Sequence, residues 1–270
     1  VSLHYYTVSG WVGSKAPAVG FSEEEYYWCL GKCLGIEPVI QKHLAIMSEY
    51  DPQNRIPLFV DEWGTWWEPE PGTQLFQQNT MRDAFVASLS LDVFHKYADR
   101  IKMCNIAQVA NVLQAMILTK EDKMVLTPTY YIFKMYKPHM DANLIPIDME
   151  GVDVKLVRNE RYEANPSEGA NRPLPLLSAT ASKDKEGKLH VSMSNVKIDE
   201  EETVVLDLKG MKAKSIKATI LTSENKDDHN TFENPDNVQL VEFKDFKIDK
   251  NTGAVTVNMP ALSVVTLEIL

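Results

Sequence analysis

No hydrophobic run in this sequence approaches the ~20 residues a membrane-spanning helix needs, so a bilayer is not an expected partner. Concentrated positive charge is also missing. The 28 Lys and Arg are outnumbered by 38 Asp and Glu, giving a formal net charge of −10, and they form no cluster able to neutralise phosphates, which argues against nucleic acid. Cysteine is scarce: Cys29, Cys33 and Cys104 are odd in number, in a chain too large to depend on disulfide staples. Cys29 and Cys33 stand four apart in a helical stretch, but no nearby His or Cys completes a tetrahedral zinc set, so core packing is expected for them. Internal repeats, phosphate-binding loops, EF-hand loops and Gly-x-Ser-x-Gly elbows are absent as well. The opening VSLHYYTVSG has neither the basic n-region nor the cleavage site of a secretory signal, and it begins inside what reads as a strand.

What is present is a chain of 270 residues, 44% hydrophobic, long enough to bury a substantial core and to divide in two. Residues 1–141 alternate short apolar runs with long helical patterns. VSLHYYT, IPLFVDEW and IKMCNIAQ read as strands, and between them Ser22 and Glu25 form a Ser-x-x-Glu capping box, Pro38 suits a first helical turn, and Met81, Ala84, Phe85, Ser88, Leu89 and Leu91 mark one face of a helix near 79–98. Continuously apolar strands separated by helices predict a parallel sheet covered by helices, an α/β arrangement. TPTYYIFKMYKPHM, 127–140, reads as the helix leading into the second part. Residues 142–270 change to short alternating runs, among them PLLSATAS, KLHVSMSNV, VQLVEF and SVVTLEIL, separated by turns such as KEG, ENPDN and KNTG. This predicts an all-β antiparallel sandwich with one solvent-facing side.

Chemistry is sought at the strand ends, because in a β/α barrel the C-terminal ends of the strands open onto one common mouth. The first strand offers His4 and Tyr6, the second Asp61 and Glu62 with Trp63 and Trp66, the third Asn105 and Gln108. A carboxylate, an imidazole, a phenol, amides and indoles together suit a sugar, polar groups meeting hydroxyls and aromatic faces the C–H surface of the ring. Singly, each has a plain structural reading: His4 as a hydrogen-bonded strand histidine, Trp66 and Trp67 as loop packing. Glu62 stands out because a strand-terminal carboxylate lies where this fold carries its catalytic groups. Asp61 alternates away from it on an extended strand and is assigned a supporting role.

FVDEWGTWWEPEPG, SLHYY and ADRIKMCNIAQVANVLQAMI closely resemble the α-L-arabinofuranosidases of glycoside hydrolase family 51. The resemblance covers residues 1 to about 140; the following part is similar in type to the family's C-terminal jelly-roll-like sandwich. It implies a partial (β/α)8 barrel, about strands 6–8, and a retaining glycosidase releasing terminal α-L-arabinofuranosyl groups from arabinan- or arabinoxylan-type saccharides without metal or organic cofactor. Glu62 falls on the family's nucleophile, His4 and Tyr6 on sixth-strand active-site positions, Trp66 on a pocket-lining aromatic residue and Gln108 on an eighth-strand sugar contact.

The sequence departs from the family in one respect. A retaining pair needs a second carboxyl roughly 5–5.5 Å from the first, and the family's acid/base lies in an Asn-Glu pair upstream that does not occur before Glu62. Asn159-Glu160 is rejected as a substitute, since the strand before it alternates like an antiparallel edge. The expectation is therefore the C-terminal part of a larger barrel, completed by a missing N-terminal half or by another copy, with a homo-oligomer anticipated from the family and from the exposed sheet edge. The alternatives are another retaining barrel glycosidase of endoglucanase or xylosidase type, and a non-catalytic carbohydrate-binding or assembly fragment.

Overall fold

A computed structural model describes residues 1–11, 15–158 and 172–270. The first part runs β1 (Ser2–Val8), α1 (Glu23–Cys33), α2 (Ile36–Tyr50), β2 (Leu58–Trp66), α3 (Met81–Lys96) and β3 (Ile101–Ile106). The three strands form one parallel sheet in the order β1-β2-β3, so the strand carrying Glu62 is the central one. Local sequence signals fix the helix starts. Ser22 Oγ accepts the Glu25 N–H at 3.1 Å while the Glu25 carboxylate accepts the Ser22 N–H at 2.9 Å, closing the expected capping box. Pro38 sits in the first turn of α2.

A hairpin that sequence reading missed, β4 (Ile117–Lys120) and β5 (Lys123–Leu126), precedes α4 (Pro128–Tyr136), which lies within the anticipated helical stretch and starts at N-cap Thr127 and an N1 proline. A single 3-10 turn follows at Lys137–His139. The remainder is antiparallel: β6 (Asn143–Ile145), β7 (Val154–Val157), β8 (Arg172–Pro175), β9 (Leu177–Lys183), β10 (Leu189–Asn195), β11 (Glu202–Leu206), β12 (Ile216–Thr222), β13 (Val241–Glu242), β14 (Phe246–Ile248), β15 (Val255–Met259) and β16 (Ser263–Ile269). A six-stranded sheet, β13-β12-β16-β10-β9-β6, and a three-stranded one, β11-β15-β14, share a core built from Val191, Met193, Val257, Met259, Val265 and Leu267. Of VQLVEF only Val241 and Glu242 pair as strand, and Asn159 and Glu160 lie outside the described residues.

Two expectations change where the parts meet. The helix α3 is buried on nearly every side from Met81 to Ser90, not along one stripe, because it lies between the parallel sheet and the six-stranded sheet. The supposed solvent-facing side of β9 and β10 is also covered: every residue of β10 is buried. Its small polar side chains meet partners on the helices instead. Ser178 donates to Asp92 Oδ2 at 2.6 Å, Thr180 meets His95 Nδ1 at 3.1 Å, Ser182 and Ser192 meet the two nitrogens of His139 at 2.7 and 2.8 Å, and Ser194 donates to Ser88 at 2.9 Å. Carboxyl, imidazole and hydroxyl side chains satisfy these hydroxyls here as water would, so alternation alone could not separate this face from a wet one. Beside this polar seam one apolar cluster continues from Leu58 and Phe85 to Val196, Leu221 and Val264, joining the two parts.

Burial lowers His95 to about 4 and His139 to about 3, the latter helped by the neighbouring imidazoles, and raises Asp92 to about 7 despite the hydroxyls donated by Ser178 and Tyr136. The two histidines stay neutral in the folded chain but take up protons below 6.5 once unfolded, so the stability they contribute is lost as pH falls from 6.5 toward 4. Asp92 acts oppositely between 3.8 and 7, one proton against two. The melting temperature is therefore expected to fall between pH 6.5 and 4, and His139→Gln, neutral throughout, should flatten that fall; calorimetry across the window measures the difference between the two proteins.

Candidate active site

The face of β2 on which Glu62 emerges is set by one extra residue. Leu3 pairs with Val60 and His4 with Glu62, leaving Asp61 without a counterpart on β1; on the other side Val60 pairs with Cys104 and Trp63 with Ile106, so two residues of β2 oppose Asn105 alone. Asp61 is thus a β-bulge, not the simple alternating neighbour assumed from an extended strand. Leu58 and Val60 are fully buried, and so are Trp63 and Thr65: Trp63 packs on Phe94 and Phe133 at 5.2 and 6.0 Å between ring centres, and Thr65 bonds Asp83 of α3. Even-numbered residues before the bulge and odd-numbered ones after it therefore face the helices. Uninterrupted alternation would have sent the Glu62 carboxylate into that apolar layer.

On the open face Glu62 meets the residues sequence reading named. Tyr6 OH donates to Glu62 Oε2 at 2.9 Å, and His4 Nδ1 lies 3.5 Å from the same oxygen. Both residues alternate on β1 with Tyr5, whose OH goes to the opposite side and donates to Lys32 O of α1 at 2.6 Å. Burial, then the hydrogen bond and charge of Glu62, push the Tyr6 phenol well above its usual range, so it remains a donor. Oε1 of Glu62 has no hydrogen-bond partner among the described residues. The side chains of Glu62 and His4 are 46% and 51% exposed, which leaves the carboxylate accessible.

Trp66 closes one side, its ring 5.7 Å from Tyr6 at 68°. Two residues that sequence reading passed over join it: Trp11, with its ring 5.9 Å from Trp66 and 6.3 Å from Tyr6, and Lys15, whose Nζ sits 4.9 Å from the Trp66 ring centre. Both belong to the segment after β1, which has no periodic signal to mark it. Gln108 is not drawn in to the same degree. The Ala107 N–H bonds Trp63 O at 2.9 Å, so Gln108 stands at the same end of the sheet, but its side chain is exposed and no hydrogen bond links it to Glu62.

Glu62 lines neither of two cavities, of about 550 and 280 Å³, that lie at the junction with the antiparallel part near Asp92 and His139. The first has the larger volume, yet the cluster at the end of β2 has the convergent chemistry, and we place the candidate site there. Among the described residues no three His, Cys, Asp or Glu side chains are grouped to hold a metal ion.

The sequence profile of the α-L-arabinofuranosidase C-terminal domain matches residues 61–263, well over half of the chain. The chain belongs to the α-L-arabinofuranosidase family. An intracellular exo-α-L-arabinofuranosidase of Bacteroides ovatus is 54% identical over 272 aligned residues, covering all of this chain and 50% of that protein. The crystal structure of the family 51 arabinofuranosidase from Xanthomonas axonopodis pv. citri superposes with a TM-score of 0.89 at 38% identity, covering 100% of this chain and 52% of the other. That of the arabinofuranosidase from Thermotoga maritima, in complex with arabinose, superposes with a TM-score of 0.74 at 20% identity over the same share, a likeness of fold. The chain thus spans about half the length of the arabinofuranosidases it matches.

Within this family member the strand end depends on Gly64. Its φ of +135° is one that side chains rarely tolerate, and an added Cβ would stand 3.1 Å from Gln114 Oε1 and 3.2 Å from Gln114 Cβ. Gly64→Ala is expected to destabilise the fold by about 1–3 kcal/mol, read as a lower urea midpoint with unchanged slope.

Proposed function

We propose that this chain supplies the nucleophile-bearing part of a retaining exo-acting α-L-arabinofuranosidase, with Glu62 as nucleophile and arabinan- or arabinoxylan-type saccharides as substrate. The observation that carries the reading is the clamp on a single carboxylate oxygen: Tyr6 and His4 both address Oε2, leaving Oε1 for the anomeric carbon. In this reading the three parallel strands are strands 6–8 of a (β/α)8 barrel within residues 1–141, the open face is its interior, and residues 142–270 form the jelly-roll-like sandwich. The greater length of the relatives supports this, and the acid/base carboxyl and the remaining wall then come from outside these residues.

The chemistry is a double displacement. Oε1 attacks the anomeric carbon as the glycosidic bond breaks, the second carboxyl protonates the departing oxygen, and water then cleaves the glycosyl ester with that carboxyl acting as base. Tyr6 would hold the attacking carboxylate in place and share its charge; Trp66 would offer an aromatic wall to the sugar; Gln108, at the end of β3, would contact a sugar hydroxyl. Without the partner carboxyl, hydrolysis of unactivated arabinosides is expected to fall by ~10²–10⁴.

A 2,4-dinitrophenyl 2-deoxy-2-fluoro-arabinofuranoside provides a direct test, because its leaving group departs without a proton donor. Applied to a version extended to the length of the relatives, it should release one equivalent of dinitrophenolate and leave a mass adduct on the peptide containing Glu62, absent from Glu62→Ala. An adduct on a different residue, or turnover of nitrophenyl arabinofuranosides by Glu62→Ala at the unsubstituted rate, would refute the assignment. A preference for nitrophenyl xyloside or glucoside would favour a related barrel glycosidase instead. Tyr6→Phe removes one hydrogen bond to a charged acceptor, typically ~1.5–3 kcal/mol, and should lower kcat by roughly 10- to 100-fold.

A further inference from the structure

Behind the open face, the residues on either side of Trp66 are both tied to one buried carboxylate. Thr65 Oγ1 donates to Asp83 Oδ1 at 2.6 Å, and the indole N–H of Trp67 donates to the same oxygen at 2.8 Å. The other oxygen, Oδ2, accepts the Thr80 N–H at 2.8 Å and the Thr80 hydroxyl at 3.1 Å, so the carboxylate is anchored to the first turn of α3. The backbone is held as well. The Thr65 N–H donates to Gln114 Oε1 at 2.8 Å, and the Trp67 N–H to Gln77 Oε1 at 2.8 Å. Gln114 in turn donates to Asp83 O at 2.7 Å and Thr129 Oγ1 at 3.2 Å, while Gln77 donates to Thr65 Oγ1 at 3.2 Å.

Thr65, Gln77, Thr80, Asp83 and Gln114 are each at most 1% exposed, and none of the side-chain atoms that make these bonds is left without a partner. The Arg82 guanidinium, stacked 3.7 Å from the Phe21 ring centre and 3.9 Å from that of Trp67, braces the far face of Trp67 and brings positive charge near Asp83. A network this complete fixes geometry as well as adding stability. The residue it brackets is the half-buried Trp66, whose side chain projects to the opposite face.

We propose that Asp83 is a positioning residue for the aromatic wall of the site: acting through Thr65 and Trp67, it holds the Trp66 indole in one orientation against Tyr6 and Trp11. Its geometric content stands independently of the reaction; only its consequence for substrate binding rests on the arabinofuranosidase reading.

Uniform labelling with 5-fluorotryptophan gives a fluorine resonance for each of the five tryptophans, and Trp66→Phe assigns the one of interest. Thr65→Val, Trp67→Phe and Asp83→Asn should each broaden or split the Trp66 line. Thr129→Val, which cuts the same network on its far side, serves as the control: it should lower the melting temperature while leaving that line sharp. Should Asp83→Asn fail to fold, the near-isosteric Thr65→Val carries the test. A single sharp, unshifted Trp66 line in folded Thr65→Val and Trp67→Phe would overturn the proposal, and so would equal broadening in Thr129→Val. On the version extended to the length of the relatives, Thr65→Val should raise KM for an aryl arabinofuranoside at least threefold with kcat changed less than twofold. A broadened line with unchanged KM would uphold the positioning role and remove Trp66 from the sugar site, which separates the two failures.

Discussion

The direction in which one carboxylate faces organises the molecule, and a single inserted residue decides it. Before Asp61, β2 gives its even-numbered side chains to the helices; after Asp61 it gives the odd-numbered ones. The apolar half of the strand and the polar half can therefore both be satisfied. Leu58, Val60, Trp63 and Thr65 all reach the helix layer, while Glu62 and Trp66 share the face occupied by His4 and Tyr6. Bulges are uncommon between parallel strands, and this one shifts the register against both neighbours at once, so β2 changes face while β1 and β3 keep their alternation. The positive φ of Gly64, three residues after Asp61, accompanies this change, admitting the Gln114 side chain where an ordinary residue would collide with it.

Two buried polar systems then hold the strand end and the junction, and they differ in kind. Around Asp83 four donated hydrogen bonds converge on one carboxyl group and two glutamine amides hold the adjoining backbone N–H groups, which restricts the backbone from Thr65 to Trp67. Along β9 and β10 the contacts run from hydroxyl to imidazole, carboxyl or a second hydroxyl, and each hydroxyl can donate or accept as its neighbour requires. Such a seam tolerates rearrangement but not charge, as the downward displacement of His95 and His139 and the upward one of Asp92 show. The apolar cluster that crosses the junction beside it supplies the non-directional part of the attachment.

Much of this was legible in the residues. A capping box located α1 and a first-turn proline α2, because such helix-start signals are local and need nothing distant. Apolar runs between helical patterns gave the parallel sheet, and Glu62, His4, Tyr6 and Trp66 could be named because strand ends of such a sheet face one way. The hairpin β4–β5 escaped notice, its two strands being only four residues each, too short for periodicity to register. Trp11 and Lys15 escaped for a related reason: an irregular segment has no period, and only the fold returns it to Trp66.

Sequence by itself determined the kinds of element, where helices begin, and which residue types could meet at the strand ends, since these depend on short-range sterics, hydrogen bonding and hydrophobic period. Tertiary structure alone decided which face each residue occupies. Asp61 reads as one more strand residue until its neighbours show that nothing pairs with it, and Ser178, Thr180 and Ser182 read as a wet face until α3 and the turn carrying His139 are laid across them. Both outcomes depend on register and contact between segments distant along the chain, and a pattern of alternation is identical whether water or another side chain answers it.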